Sequence, residues 1–204
     1  LYVFKEYDGS MPVIGLDLDE VLWAVMPSYL TELSAITGQT YLMENFHEYN
    51  MCRSLGVSEK LVHHVLNNTD AFCNVEPYTY SESLVRMLRQ GVITPSYGLA
   101  AEPHYIAFIT HRGFRPDGFI KTFDLLKSFG ILPDALIAAP MAQSKLDVMD
   151  ELYQDNIVLI FEDCPKNIDE FVSASIPVAK HIQPWNKNVW ADYTIDLNKQ
   201  INPF

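Results

Sequence analysis

Cysteine is scarce in this 204-residue chain, and its three positions, Cys52, Cys73 and Cys164, form an odd, widely spaced set with no pair at metal-site spacing. That argues against a disulfide framework and fits a reduced intracellular environment, so a cytoplasmic location is expected. Basic residues are short as well: 14 Lys plus Arg face 26 Asp plus Glu, a formal net charge of −12. A long-range field of that sign repels nucleic-acid backbone and anionic membrane, which makes polymeric DNA or RNA a poor substrate. No apolar run approaches the roughly 20 residues that span a bilayer, so no membrane partner is expected. The first residues carry no charged-then-apolar leader pattern, although a chain opening at Leu1 leaves an upstream segment open. Internal repeats and low-complexity tracts are also missing. What remains is an ordinary globular composition, 49% hydrophobic and 20% charged, with length for one well-filled core or one domain carrying an insertion.

The chain is organised around Val13-Ile14-Gly15-Leu16-Asp17-Leu18-Asp19-Glu20-Val21. An apolar run that breaks abruptly into acids reads as a buried strand delivering carboxylates at its C-terminal end, where open α/β sheets bind their ligands. Two aspartates one residue apart at such an end can share a hard cation such as Mg²⁺. With the metal taking up negative charge, one of them can approach an anionic phosphorus as a nucleophile. Taken alone, the same pattern also describes a strand followed by an acidic turn.

Further along, strands are predicted at Tyr105–Ile109, Ala135–Ala139, Ile157–Phe161 and Ile176–Ala179. Helices are predicted from Ser81 to Gly91 with Ser81 as cap, from about Pro116 to Phe129, from the capping-box-like Ser144-Lys145-Leu146-Asp147, and over Pro165–Ala174. Strands alternating with helices imply a parallel sheet with right-handed crossovers and helices on both faces. Leu1 to Met11 reads as a lead-in with a turn at Asp8-Gly9-Ser10. Between Trp23 and Tyr80 the pattern changes to short segments rich in aromatics and Met, with helices at Pro27–Thr37 and from Ser58 to about Asn67. The fold class expected is therefore α/β, a Rossmann-like parallel sheet with a small helical cap inserted after the first strand. Residues 1–22 and 81–204 would form the core domain and 23–80 the cap, a lid that excludes water and chooses the substrate.

Four polar clusters follow buried strands or open a helix: Asp17/Asp19, Thr110-His111-Arg112, Lys145 and Glu162-Asp163. A parallel sheet lines up all strand C-termini on one edge, so residues far apart in sequence meet there. Each suits phosphoryl transfer, which depends on positioning and charge neutralisation. The Thr110 hydroxyl and the N–H groups beyond it, His111 included, can hold phosphate oxygens, Lys145 can add a point charge and restrain the nucleophile, and Asp163, with Glu162 behind it, can complete an oxygen ligand set for Mg²⁺.

These motifs, Asp-x-Asp-x-Val after a strand, Thr after the second strand, Lys at a later helix start and an acidic pair after the next strand, resemble the four motifs of the haloacid dehalogenase-like superfamily. Phe161-Glu162-Asp163-Cys164-Pro165-Lys166-Asn167-Ile168 and Gln183-Pro184-Trp185-Asn186 followed by Trp190 are similar to segments of its cytosolic-type 5′(3′)-deoxyribonucleotidases. The resemblance implies Asp17 as the nucleophile that becomes a phospho-aspartate, Asp19 as general acid and then base, and Thr110 and Lys145 as their catalytic partners. It also implies a metal set of the Asp17 carboxylate, the Asp19 backbone carbonyl and Asp163. Three positions depart from the family: Glu20 stands where Gly is frequent, Glu162 where another Asp is usual, and Lys187-Asn188 where the nucleotidases carry Arg.

The activity so implied is a Mg²⁺-dependent phosphomonoesterase acting on a small phosphorylated metabolite, with a nucleoside monophosphate the leading substrate. A phosphatase for another metabolite such as a sugar phosphate, and a catalytically silent binding protein of the same fold, are the alternatives. Homo-oligomerisation is left open. His63 and His64, adjacent on a helix, point about 100° apart and are read as surface or lid-packing residues. Cys164 reads as a buried filler, and Trp23, Tyr29, Phe46, Tyr49 and Phe72 as the lid's own core, with stacking on a nucleobase as the alternative.

Overall fold

A computed structural model describes residues 2–4 and 7–197. Nine strands appear there: β1 (Tyr2–Phe4), β2 (Val13–Leu16), β3 (Trp23–Ala24), β4 (Glu76–Pro77), β5 (Tyr105–Thr110), β6 (Ala135–Ala138), β7 (Ile157–Glu162), β8 (Val178–His181) and β9 (Tyr193–Ile195). Seven α-helices accompany them: α1 (Met26–Thr37), α2 (Met51–Leu55), α3 (Glu59–Asn68), α4 (Ser81–Arg89), α5 (Gly118–Ser128), α6 (Lys145–Tyr153) and α7 (Pro165–Ser173). Among these described residues no helix is long and apolar enough to cross a membrane.

The main sheet has the order β1-β6-β5-β2-β7-β8-β9, in which six strands are mutually parallel and β1 lies antiparallel on the edge. The parallel α/β sheet expected from the sequence is thus present, with one antiparallel strand in the segment read as a lead-in. From β2 the chain runs outward through β5 to β6, then crosses back to β7 and continues the other way. The switch of direction therefore falls beside β2, the position where such sheets open a crevice at their C-terminal edge.

Alternation along each strand divides the core. Ile106 and Phe108 join Ile14, Leu16, Phe161 and the α4 residues Leu84 and Leu88 on one face, while Ala107 and Ile109 join Ile160, Met149 of α6 and Phe171 of α7 on the other. A third apolar cluster is built by α1 and α3: Met26, Tyr29, Leu30 and Leu33, spaced for one helix face, pack with Phe46, Val65 and, from the far end of the chain, Trp185. Between this cluster and the sheet, β3 and β4 pair antiparallel as a two-stranded ribbon, so the segment is helical above and stranded at its base.

Three local expectations are corrected. Ser81 is the first helical residue rather than the cap of α4; its hydroxyl donates to the Leu22 carbonyl and ties the helix to the ribbon. Helix α5 starts at Gly118, two residues after Pro116. Strand β8 occupies Val178–His181 rather than Ile176–Ala179, because Lys180 and His181 are buried strand residues despite their polarity.

Candidate active site

Asp17 follows β2 directly and is almost fully buried, with Lys145 Nζ 2.7 Å from its Oδ1 and the Leu18 N–H donating to the same oxygen at 2.8 Å. Lys145 opens α6, where Ser144 caps the helix by accepting from the Leu146 N–H. The ammonium also donates to Glu162 Oε2 at 2.9 Å. Glu162, the last residue of β7, is wholly buried and fully engaged: Oε1 accepts from the Asp163 and Cys164 N–H groups, and Oε2 accepts from Asn167 as well. Asp163 is held by the Trp185 indole N–H at 2.9 Å from Oδ2, and its carbonyl accepts from Asn186.

Oxygens of Asp17, Glu162 and Asp163 lie within 4.8 Å of one another. Three buried carboxylates share one ammonium, and the electrostatics record the imbalance. Burial, then the neighbouring Glu162, pushes Asp17 well above the ordinary carboxylate value, and burial, Glu162 and Asp17 do the same to Asp163. Burial would raise Glu162 too, but contact with Lys145 reverses the balance and holds it below its usual value. Lys145 is held above the ordinary lysine range because its two carboxylates outweigh the burial that would lower it. A pocket of hard oxygen donors with unrelieved negative charge fits a divalent cation of the Mg²⁺ type.

The Asp19 carboxylate does not join that cluster. It is turned to Arg112, whose Nε lies 3.0 Å from both carboxylate oxygens and whose Nη2 lies 2.6 Å from Oδ1, and to the Trp23 indole N–H at 2.7 Å. Thr110, at the end of β5, is buried, and its hydroxyl accepts from the Arg112 N–H. His111 Nε2 sits 3.0 Å from the Gln143 carbonyl, so this nitrogen serves a neighbouring loop, and burial followed by the charge of Lys145 lowers its basicity. The turn after β5 runs so close to β6 that a Cβ on Gly113 would lie 2.6 Å from the Ala138 carbonyl oxygen, which only glycine avoids.

A cavity of about 850 Å³ opens above these groups. Asp17, Asp19, Thr110, Lys145 and Asp163 form its polar floor, while Met26, Phe46, Tyr49, Phe72, Phe114 and Trp185 supply much of its apolar wall.

No protein-family model matches this sequence, and no curated protein matches it. Solved structures do. A haloacid dehalogenase-like family hydrolase from Streptococcus pneumoniae superposes with a TM-score of 0.60 at 14% identity, over 91% of this chain and 93% of that one. A predicted phosphatase from Clostridium acetobutylicum gives 0.61 at 12% identity, over 91% and 94%. A HAD family hydrolase from Deinococcus radiodurans R1, with bound phosphate and sodium, gives 0.58 at 12% identity, over 93% and 92%. This chain has the haloacid dehalogenase-like fold.

Within that fold the candidates Asp17, Asp19, Thr110, His111, Lys145, Glu162 and Asp163 all lie at or beside the floor of this cavity. The sequence pattern places Arg112 with its neighbours but gives it no task, and the expected place of Trp23, Phe46 and Phe72 is chiefly the lid core. Trp23 is buried yet bonded to Asp19, while Phe46 and Phe72 line the cavity. The two exposed histidines take no part in the cluster, although His63, beside Glu59, reaches the cavity rim. Cys164 is buried, its thiol pushed up to about 12, first by burial and then by Glu162, which makes it inert as a nucleophile.

Proposed function

We propose that the chain is a Mg²⁺-dependent phosphomonoesterase acting through a phospho-aspartate, with nucleoside monophosphates as substrates. The observation that carries this reading is the buried Asp17–Lys145–Glu162–Asp163 cluster, charge-unbalanced and set beneath a cavity with an aromatic wall. Asp17, Asp163 and the Asp19 backbone carbonyl would hold the cation, which supplies the neutralisation that lets a carboxylate meet an anionic phosphate. Glu162 has no free lone pair to offer such an ion, since four donors occupy it; it anchors Lys145 instead.

Lys145 and the Leu18 N–H both hold Asp17 Oδ1, which fixes the rotation of the carboxylate that attacks phosphorus. The bond from Asp17 to phosphorus forms as the bond to the leaving oxygen breaks, and Asp19 gives that oxygen its proton. Thr110 and the N–H groups of the following turn bind the remaining phosphate oxygens. Water, deprotonated by Asp19, then attacks phosphorus, releasing phosphate and restoring Asp17. Residues 23–80 act as the cap, and their aromatic side chains offer a nucleobase a stacking surface. Stacking of about 1–3 kcal/mol corresponds to roughly five-fold to more than hundred-fold in binding over a sugar phosphate.

The test is phosphate release from deoxy- and ribonucleoside monophosphates, ribose 5-phosphate and glucose 6-phosphate, with and without Mg²⁺. Nucleotides are expected to give the highest kcat/KM, and Asp17→Asn to abolish turnover on all of them. Sugar phosphates that equal or beat every nucleotide would replace the substrate class. Substantial turnover by a clean Asp17→Asn preparation would remove the mechanism.

A further inference from the structure

We propose that Arg112 is a positioning residue that locks Asp19 with one oxygen saturated and the other, Oδ2, left as the oxygen that passes protons. The inference rests on the acid–base role of Asp19 in the reading above. Its ground is an asymmetry between two oxygens of one carboxylate. Oδ1 accepts from the Trp23 indole at 2.7 Å, from Arg112 Nη2 at 2.6 Å and from Arg112 Nε at 3.0 Å, whereas Oδ2 has only a share of that same Nε–H at 3.0 Å. An oxygen with two donors and a share of a third has no lone pair for a proton; an oxygen with only that share does.

The guanidinium itself is immobilised. Arg112 is only 3% exposed, and its Cζ lies 5.1 Å from the centroid of the Trp23 ring and 5.0 Å from that of Phe72. Both aromatic residues belong to the segment inserted after β2, so the acid–base carboxylate of the core is oriented by a cation the inserted segment helps to hold. Backbone packing fixes the residue from below: the Arg115 N–H donates to the Arg112 carbonyl, and a Cβ on Gly118 would come within 2.0 Å of that oxygen. An arginine so enclosed is aimed at Asp19, and its rigid fork sets the carboxylate's rotation in a way that a lysine point charge cannot.

An acid that protonates the leaving oxygen matters for an alkyl phosphate, whose alkoxide is a poor leaving group, and little for p-nitrophenyl phosphate, whose phenolate leaves unaided. The experiment therefore measures the burst rate of the first, phosphoryl-forming step together with kcat and KM, on a nucleoside 5′-monophosphate as the alkyl phosphate and on p-nitrophenyl phosphate, for Asp19→Asn, Arg112→Met, Arg112→Lys and Trp23→Phe, with melting curves for each. Asp19→Asn is expected to lose at least hundred-fold in burst rate on the alkyl phosphate and much less on p-nitrophenyl phosphate, while kcat falls on both because Asp19 also activates the water of the second step. Arg112→Met is expected to repeat that selectivity at roughly ten- to hundred-fold, Trp23→Phe at a few-fold, and Arg112→Lys to recover little. Combined with Asp19→Asn, Arg112→Met should add almost nothing. Equal losses of burst rate on both substrates for Arg112→Met and Trp23→Phe, while Asp19→Asn stays selective, would overturn the inference and leave the proposed function standing. A raised KM on both with kcat preserved would place Arg112 on the substrate phosphate and overturn it too. Loss of selectivity in Asp19→Asn itself would overturn both. Should Arg112→Met fail to fold, Trp23→Phe, which keeps an aromatic ring and removes one donor, decides the matter.

Discussion

At the scale of single residues, one side chain can serve two functions, as at Trp185. Its indole N–H holds Asp163 Oδ2 at 2.9 Å while its ring packs edge-on against Phe46 at a centroid distance of 5.0 Å, inside the apolar cluster of α1 and α3. Removing the N–H but keeping an aromatic ring should leave the packing largely intact and free the carboxylate to rotate. Partners behind a metal ligand typically contribute ten- to hundred-fold in affinity, so Trp185→Phe is expected to weaken Mg²⁺ binding by about ten-fold. Calorimetric titration with Mg²⁺ alone reads this without turnover, and unchanged affinity would separate Trp185 from the metal site. Asp17, Asp19, Glu162 and Asp163 were legible in the sequence because each stands where a buried apolar run breaks into polarity. The tasks of Arg112 and Trp185 were not, since their partners lie 93 and 22 residues away and no local pattern records such a meeting.

Among the elements, α1 shows how a connection between layers is held. Its N-cap Val25 provides no side-chain cap, and the first N–H groups are satisfied instead by Glu20, whose Oε1 accepts from the Val25 and Met26 N–H groups at 2.7 and 2.6 Å. Oε2 accepts from the hydroxyl of Tyr78, the residue after the returning strand β4, and the Glu20 carbonyl accepts from Gln183 and lies 2.7 Å from His181 Nδ1. Both connections to α1–α3 thus converge on one carboxylate. It also bears on why a glutamate occupies a φ of +60°, strained by about 1–2 kcal/mol for a residue other than glycine: its side chain there accepts from three donors. Burial lifts the Glu20 pKa to about 7 from 4.5. A raised carboxyl pKa means stability that is complete below pH 4.5 and lost as pH rises through about 7, on the order of 3 kcal/mol. Melting temperatures of the wild type should therefore exceed those of Glu20→Gln by more at pH 5 than at pH 8; a constant gap would contradict the shift. The regular strands and long helices could be read from periodicity, but β3 and β4, two residues each, carry none. Strand β8 runs two residues beyond its expected end at Ala179 because its polar residues are satisfied internally: Lys180 Nζ donates to the Asn186 and Val189 carbonyls, and His181 meets Glu20.

For the whole molecule, the fold concentrates at one point the charge that its composition spreads everywhere. A chain of net charge −12 gathers three buried carboxylates around a single ammonium, so the metal-free protein is held together against its own site. Asp17 and Asp163 both lie well above the ordinary value of 3.8, which means that ionising them costs stability progressively as pH rises through their folded values. A divalent cation binds the ionised form and releases the protons, so its stabilising effect must grow with pH. At a Mg²⁺ concentration about 100-fold above the dissociation constant, linkage gives about 2.7 kcal/mol, or roughly 5–10 °C in a domain of this size. Thermal unfolding at pH 5 and pH 8, each with chelator and with excess Mg²⁺, should show a small shift at the lower pH and the full one at the higher. Lys145→Met, which leaves Glu162 and Asp17 without their cation, should steepen the pH dependence of the metal-free protein. An equal Mg²⁺ shift at both pH values, or none at either, would detach the buried carboxylates from metal binding and leave their unbalanced charge without a purpose in the fold.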